Sequence, residues 1–96
     1  MLTRILGRAL DVSEVEVVFL TKGGCRLCDE ALVVVEGVRR RFPFKLEIVT
    51  IVEGDDWYDH YSDKIPVGLI NGRMAFKYRV SPTEFFMKLQ SSRART

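Results

Sequence analysis

The sequence predicts a single α/β domain: a four-stranded mixed sheet with helices on both faces, in the order β-α-β-α-β-β-α. Three observations predict it. Short alternating or continuous apolar runs occupy residues 14–20, 44–51 and 65–70, each of strand length. Between the first two lies a longer stretch whose apolar residues recur at three- and four-residue steps. The third run ends in Asn71-Gly72, the strongest two-residue hairpin signal. Ninety-six residues allow one core and not two.

Glu14-Val15-Glu16-Val17-Val18-Phe19-Leu20 begins in alternation and ends apolar, as a central strand entering a core does. Thr21-Lys22-Gly23-Gly24 is a turn. From Cys28 onward, Ala31, Leu32, Val35, Val38 and Phe42 define a helix with one buried stripe. Its first turn holds Asp29 and Glu30 and its last holds Arg39, Arg40 and Arg41, the charge order that a helix dipole favours. That agreement outweighs the strand propensity of Val33-Val34-Val35 and the cost of Gly37. Pro43 closes the helix. Phe44 to Ile51 alternates and reads as the second strand.

Glu53-Gly54-Asp55-Asp56 is a turn with an acidic start to a short helix, which carries Trp57, Tyr58 and Tyr61 as packing residues. Ile65 to Ile70 is a third strand that opens at Pro66. After the Asn71-Gly72 hairpin a fourth strand runs from Arg73 to Arg79. Ser81-Pro82-Thr83-Glu84 is a capping box with proline at the first helical position. The last helix carries Phe85, Phe86 and Leu89, and the chain ends in polar residues. The domain is therefore assigned to 14–90 and a polar tail to 91–96. Residues 1–13 form an N-terminal extension, in which Leu2, Ile5, Leu6 and Leu10 recur at helical spacing beside Arg4 and Arg8. This extension lacks the apolar core of a secretory signal and is expected to lie on the domain; with no export signal, a cytoplasmic location is expected.

The chain is 47% hydrophobic and 29% charged, with a net charge of +2. So small an excess of positive charge does not build the concentrated basic face of a nucleic-acid binder. No apolar run approaches the roughly 20 residues that span a bilayer. Neither nucleic acid nor membrane is expected as a partner.

Cys25-Arg26-Leu27-Cys28 contains the only two cysteines, placed where the first strand turns into the first helix. Cysteines at i and i+3 on a first helical turn are close enough for a disulfide. The first sulfur sits where free backbone N–H groups and the helix dipole favour a thiolate, the reactive form. The chemistry this suits is reversible thiol–disulfide exchange, with Cys25 attacking and Cys28 buried and resolving. The other readings are a structural pair or half a metal site. Tetrahedral zinc needs four ligands, and the one histidine, His60, falls on a different element. No metal is expected. Lys22 either raises the positive potential near Cys25 or receives a substrate carboxylate. Arg26 faces solvent and helps choose an acidic partner. Pro66 alone reads as an edge or turn proline.

Thr21-Lys22-Gly23-Gly24-Cys25-Arg26-Leu27-Cys28, with lysine three residues before the first cysteine, resembles the lead-in of glutaredoxins. Ile65-Pro66-Val67 and Asn71-Gly72 resemble the segments that follow in the same branch of the thioredoxin-fold superfamily. The likeness covers about residues 14 to 90. It is strongest to the small glutaredoxin-like family, which also has an acidic pair after the second cysteine and an aromatic-bearing short helix before the Pro-Val strand.

The resemblance implies a thioredoxin-like fold and a dithiol oxidoreductase acting on protein or low-molecular-weight disulfides. It implies a cis Pro66 facing the cysteine pair, with the backbone of Ile65 presented beside Cys25 so that a peptide substrate adds as a strand. Recharging would come from glutathione or from a flavin reductase, with no resident cofactor and a monomeric chain. One departure is plain. Where glutaredoxins carry a Gly-Gly pair and an acid that hold glutathione, this chain has Ala75-Phe76-Lys77-Tyr78-Arg79-Val80-Ser81. The alternatives are an iron–sulfur cluster carrier and a non-catalytic binding module with an idle disulfide.

Overall fold

The computed structural model describes residues 15–94; the N-terminal extension and the last two residues lie outside the described residues. The elements are β1 (Glu16–Thr21), α1 (Arg26–Arg41), β2 (Lys45–Thr50), α2 (Asp56–Tyr61), β3 (Val67–Ile70), β4 (Arg73–Lys77) and α3 (Pro82–Ala94). This is the order expected from the sequence.

The sheet order is β2-β1-β3-β4. β1 pairs parallel with β2, with Phe19 opposite Ile48, and antiparallel with β3, with Phe19 opposite Gly68. β3 and β4 form an antiparallel hairpin with an irregular register at Gly68/Leu69. Asn71 and Gly72 both have positive φ, 49° and 86°, as a tight hairpin turn requires. Asn71 also fastens the hairpin to the start of β1: its Oδ1 accepts from the N–H of Glu16 at 2.9 Å, and its N–H donates to the Glu16 carbonyl at 2.8 Å.

The two-residue period of β1 divides the core. Val17 and Phe19 face a large cluster with Ala31, Val35 and Val38 of α1 and Phe85 and Leu89 of α3. Leu20, with half-buried Val18, faces a smaller cluster with Ile51, Val67 and Leu69, against which Tyr58 and Tyr61 of α2 pack. Helices therefore cover both faces. β3 is buried along its whole length, as a strand between two neighbours beneath two layers must be. At Gly68 no side chain fits, because a Cβ there would enter the Phe76 ring.

Element ends differ from the expectation where tertiary contacts intervene. α1 keeps its expected start, at Arg26 with the Cys25 side chain as its cap. The run Val33-Val34-Val35 is helical, with Val35 fully buried against the sheet. β4 stops at Lys77 rather than Arg79, because Tyr78 takes a left-handed conformation with φ 67°. β3 starts at Val67, after a cis Ile65–Pro66 bond. The Ser81 hydroxyl caps α3 by accepting from the Glu84 N–H at 3.2 Å. That helix continues to Ala94, into the segment assigned as tail, and Leu89 is its last buried residue.

Candidate active site

β1 delivers the chain at Thr21 to the sheet's C-terminal edge, and the turn Lys22-Gly23-Gly24 reverses it into α1. Gly24 has φ 70°, in the left-handed region that glycine enters without steric cost. Cys25 follows as the N-cap of α1, with extended backbone. Its Sγ accepts a hydrogen bond from the Cys28 N–H at 3.1 Å, and its carbonyl accepts from the Asp29 N–H at 3.2 Å. Serine or aspartate oxygen ordinarily fills this position; here a sulfur does.

The two cysteines are joined as a disulfide, with Cα atoms 5.2 Å apart. Cys28 is 1% exposed within the large cluster, while Cys25 is half-buried and packs on that cluster from its edge. One sulfur of the pair is thus reachable from solvent and the other is sealed in the core. Arg26 is exposed between them.

Lys22 is held rather than free. Its Nζ donates to the Ser62 carbonyl at 3.2 Å and lies 5.7 Å from the centroid of the Tyr58 ring. It therefore ties the turn before Cys25 to α2. Ile65 packs against both clusters, and Pro66 is buried. The carbonyls of Lys64 and Pro66 both accept from the Tyr78 N–H, at 3.1 and 2.8 Å. Among the described residues no hydrogen bond engages the backbone N–H or carbonyl of Ile65.

Beside the motif, Leu27, Ala31, Val34, Tyr78 and Val80 line an open groove of about 200 Å³. Leu27 and Tyr78 are 41% and 47% exposed at its rim. The Lys64 ammonium donates to Asp63 at 3.1 Å. That bond, with the charge of Lys64 and more weakly that of Lys77, holds the Asp63 carboxyl below the usual carboxylate range.

The structure thus brings Cys25, Arg26 and Cys28 together on one turn and leads into them through Lys22. Sequence reasoning missed the partners of Lys22, because a carbonyl forty positions away leaves no local signal. It also missed the separation within α2. Tyr58 and Tyr61 pack as expected, whereas Trp57 remains 37% exposed. Among the described residues no group of three or more His, Cys, Asp or Glu side chains is arranged to hold a metal, and no helix is long and apolar enough to cross a membrane.

Comparison with known proteins agrees with this geometry. The model of the glutaredoxin-like domain (DUF836) matches residues 16–90. A glutaredoxin-like protein, the YDR286C homolog of Dictyostelium discoideum, is 28% identical over 97 residues, covering 95% of this chain and 87% of that protein. Among solved structures, chloroplastic thioredoxin z superposes with a TM-score of 0.69 at 11% identity, over 95% of this chain and 88% of that one. Oxidized mitochondrial thioredoxin 3 from Saccharomyces cerevisiae superposes with a TM-score of 0.60 at 14% identity, over 92% and 89%. At such identities these two show the shared fold alone.

Proposed function

The chain belongs to the glutaredoxin-like domain family and has the thioredoxin fold, and from that premise we propose that it is a dithiol thiol–disulfide oxidoreductase reducing protein or low-molecular-weight disulfides. The observation that carries this reading is the position of Cys25. Its sulfur caps α1 and accepts the Cys28 N–H, an arrangement that favours negative charge on that sulfur.

Catalysis runs in two exchanges. The Cys25 thiolate attacks one sulfur of the substrate disulfide. A Cys25–substrate bond forms, the substrate S–S bond breaks, and the departing thiolate takes a proton. Cys28 then gives up its proton and attacks the Cys25 sulfur, closing the intramolecular disulfide and releasing the second substrate thiol. The substrate gains two electrons and two protons, and the dithiol loses them. Burial of Cys28 beside Cys25 makes the second step intramolecular and keeps outside disulfides from the resolving sulfur.

Ile65 supplies an open backbone for strand-like pairing with the peptide around the attacked disulfide. Lys22 fixes the turn that carries Cys25. Arg26 offers a positive charge to the incoming partner. Two external thiols, such as two glutathione molecules, or a reductase then restore the dithiol, and a reducing compartment such as the cytosol is where that cycle runs.

The experiment is turnover of a small disulfide, bis(2-hydroxyethyl) disulfide, with glutathione plus its reductase and, in parallel, with a thioredoxin reductase system. Turnover in either that disappears in Cys25→Ser supports the reading. Equal turnover by wild type and Cys25→Ser contradicts it.

A further inference from the structure

Helix α2 has a surface that the fold does not use. None of its six residues is fully buried. Tyr58 and Tyr61 lean on the smaller cluster. Trp57, the single tryptophan, stays exposed and leans on Tyr61 with ring centroids 6.1 Å apart and planes tilted by 37°. Val52, joined to the N-cap Asp55 by hydrogen bonds of 3.0 and 3.2 Å, is 58% exposed. Exposed apolar surface with a polar rim is a mark of an interaction site.

The segment is rich in acids. Residues 53–63 hold five of the thirteen carboxylates and none of the fifteen Lys and Arg side chains; the cations that reach α2, Lys22 and Lys64, sit toward its C-terminal end on the Ser62 and His60 carbonyls. Asp55 is occupied as the cap of α2, and Asp63 pairs with Lys64. Glu53, Asp56 and Asp59 are exposed, and among the described residues none of these three forms an ion pair. Acids in a first helical turn stabilise the helix, which accounts for Asp56 and Asp59. It accounts neither for Glu53, which precedes the cap, nor for a tryptophan left 37% exposed.

The C-terminal end of α2 is tied to the turn that leads into the dithiol. Lys22, three residues before Cys25, bonds to Ser62 at the end of α2, and Ile65 lies three residues beyond Ser62.

We propose that the exposed face of α2 is a docking surface for a Lys- or Arg-bearing segment of the disulfide partner, its cation over the Trp57 ring and its charge neutralised by Glu53, Asp56 and Asp59. Tryptophan is the strongest cation–π partner among the side chains, and the unpaired acids of the same segment supply the complementary charge. Arg26 carries the opposite sign beside the sulfur, so a partner with a basic segment over α2 and an acid near Arg26 is oriented as well as attracted. The proposal rests on the redox reading of Cys25 and goes beyond it by naming the chemistry of the partner.

The test uses two disulfide-linked peptides, one with lysines flanking its cysteine and one with glutamates, together with bis(2-hydroxyethyl) disulfide. The lysine peptide is expected to show roughly tenfold higher kcat/KM than the glutamate peptide at low salt, and the gap to close near 1 M salt. The triple change Glu53→Gln, Asp56→Asn, Asp59→Asn should erase the preference while small-disulfide turnover stays unchanged. Equal rates for both peptides, or an unaltered preference in the triple variant, would overturn the proposal. A second readout does not depend on turnover. In the Cys25→Ser chain, the lysine peptide should shift Trp57 fluorescence saturably and in a salt-sensitive way. If no disulfide is turned over, the redox reading fails and this titration alone decides; an unmoved emission would then refute the docking surface.

Discussion

The backbone N–H of Cys28 points at the Sγ of Cys25, 3.1 Å away, so each cysteine acts on the other in two ways. In the proposed cycle Cys28 is both the resolving thiol and, through its amide, a stabiliser of negative charge on its partner, and Cys25 is both the attacking sulfur and the cap that lets α1 begin at Arg26. Reactivity and helix nucleation would then meet in one atom.

The two cysteines should therefore fail differently. Cys25→Ser should abolish turnover, while its hydroxyl keeps the cap, so against the reduced wild type thermal stability changes by less than about 1 kcal/mol. Cys28→Ser should keep the first exchange and lose the second. Mass spectrometry should then find the substrate thiol covalently held on Cys25, which an idle structural pair would not produce.

Gly68 lies beneath Phe76, where a Cβ would enter the ring. Gly68→Ala should destabilise by about 1–3 kcal/mol through overpacking. Adding Phe76→Leu should restore a measurable part of that loss in denaturant titration. Two losses that simply add would rule out the steric cause.

The order of elements, the cysteine turn and the Asn71-Gly72 hairpin were all legible in the chain, whereas the cis Pro66 followed only from the family resemblance. Each of the first three is set by local chemistry: a two-residue period, a 3.6-residue period, a turn that needs positive φ, a paired motif at a strand end. The remainder was set by distant partners. β4 ends at Lys77 because the Tyr78 N–H is drawn to the carbonyls of Lys64 and Pro66, and nothing in Phe76-Lys77-Tyr78-Arg79 announces that. Lys22 finds Ser62 across forty positions. The exposure of Trp57 depends on which face α2 turns to the sheet, and six residues are too few for a periodicity to fix it.

Tyr78 holds φ 67° without being glycine, a conformation that costs a β-branched residue most. Tyr78→Val should destabilise by about 1–2 kcal/mol, and Tyr78→Gly should cost less than Tyr78→Val despite losing the whole side chain. Chemical denaturation of the two variants checks the order.

Asp55 accepts from the N–H groups of Tyr58 and Val52, at 2.6 and 3.0 Å. Asp55→Ala should cost about 1 kcal/mol and loosen α2, which acrylamide quenching of Trp57 should report as greater accessibility. Asp55→Asn should cost less than Asp55→Ala, because its amide oxygen keeps one of the two bonds while its NH2 faces the other donor.

The most direct measurement is the alkylation rate of the reduced protein at pH 7 with iodoacetamide, with each modified cysteine located by mass spectrometry. Cys25 is predicted to react about five- to tenfold faster than free cysteine, because more of it is thiolate at that pH, and Cys28 far more slowly because it is sealed in the core. Two cysteines that react alike, at the rate of free cysteine or below, would contradict the assignment of Cys25 as an activated nucleophile.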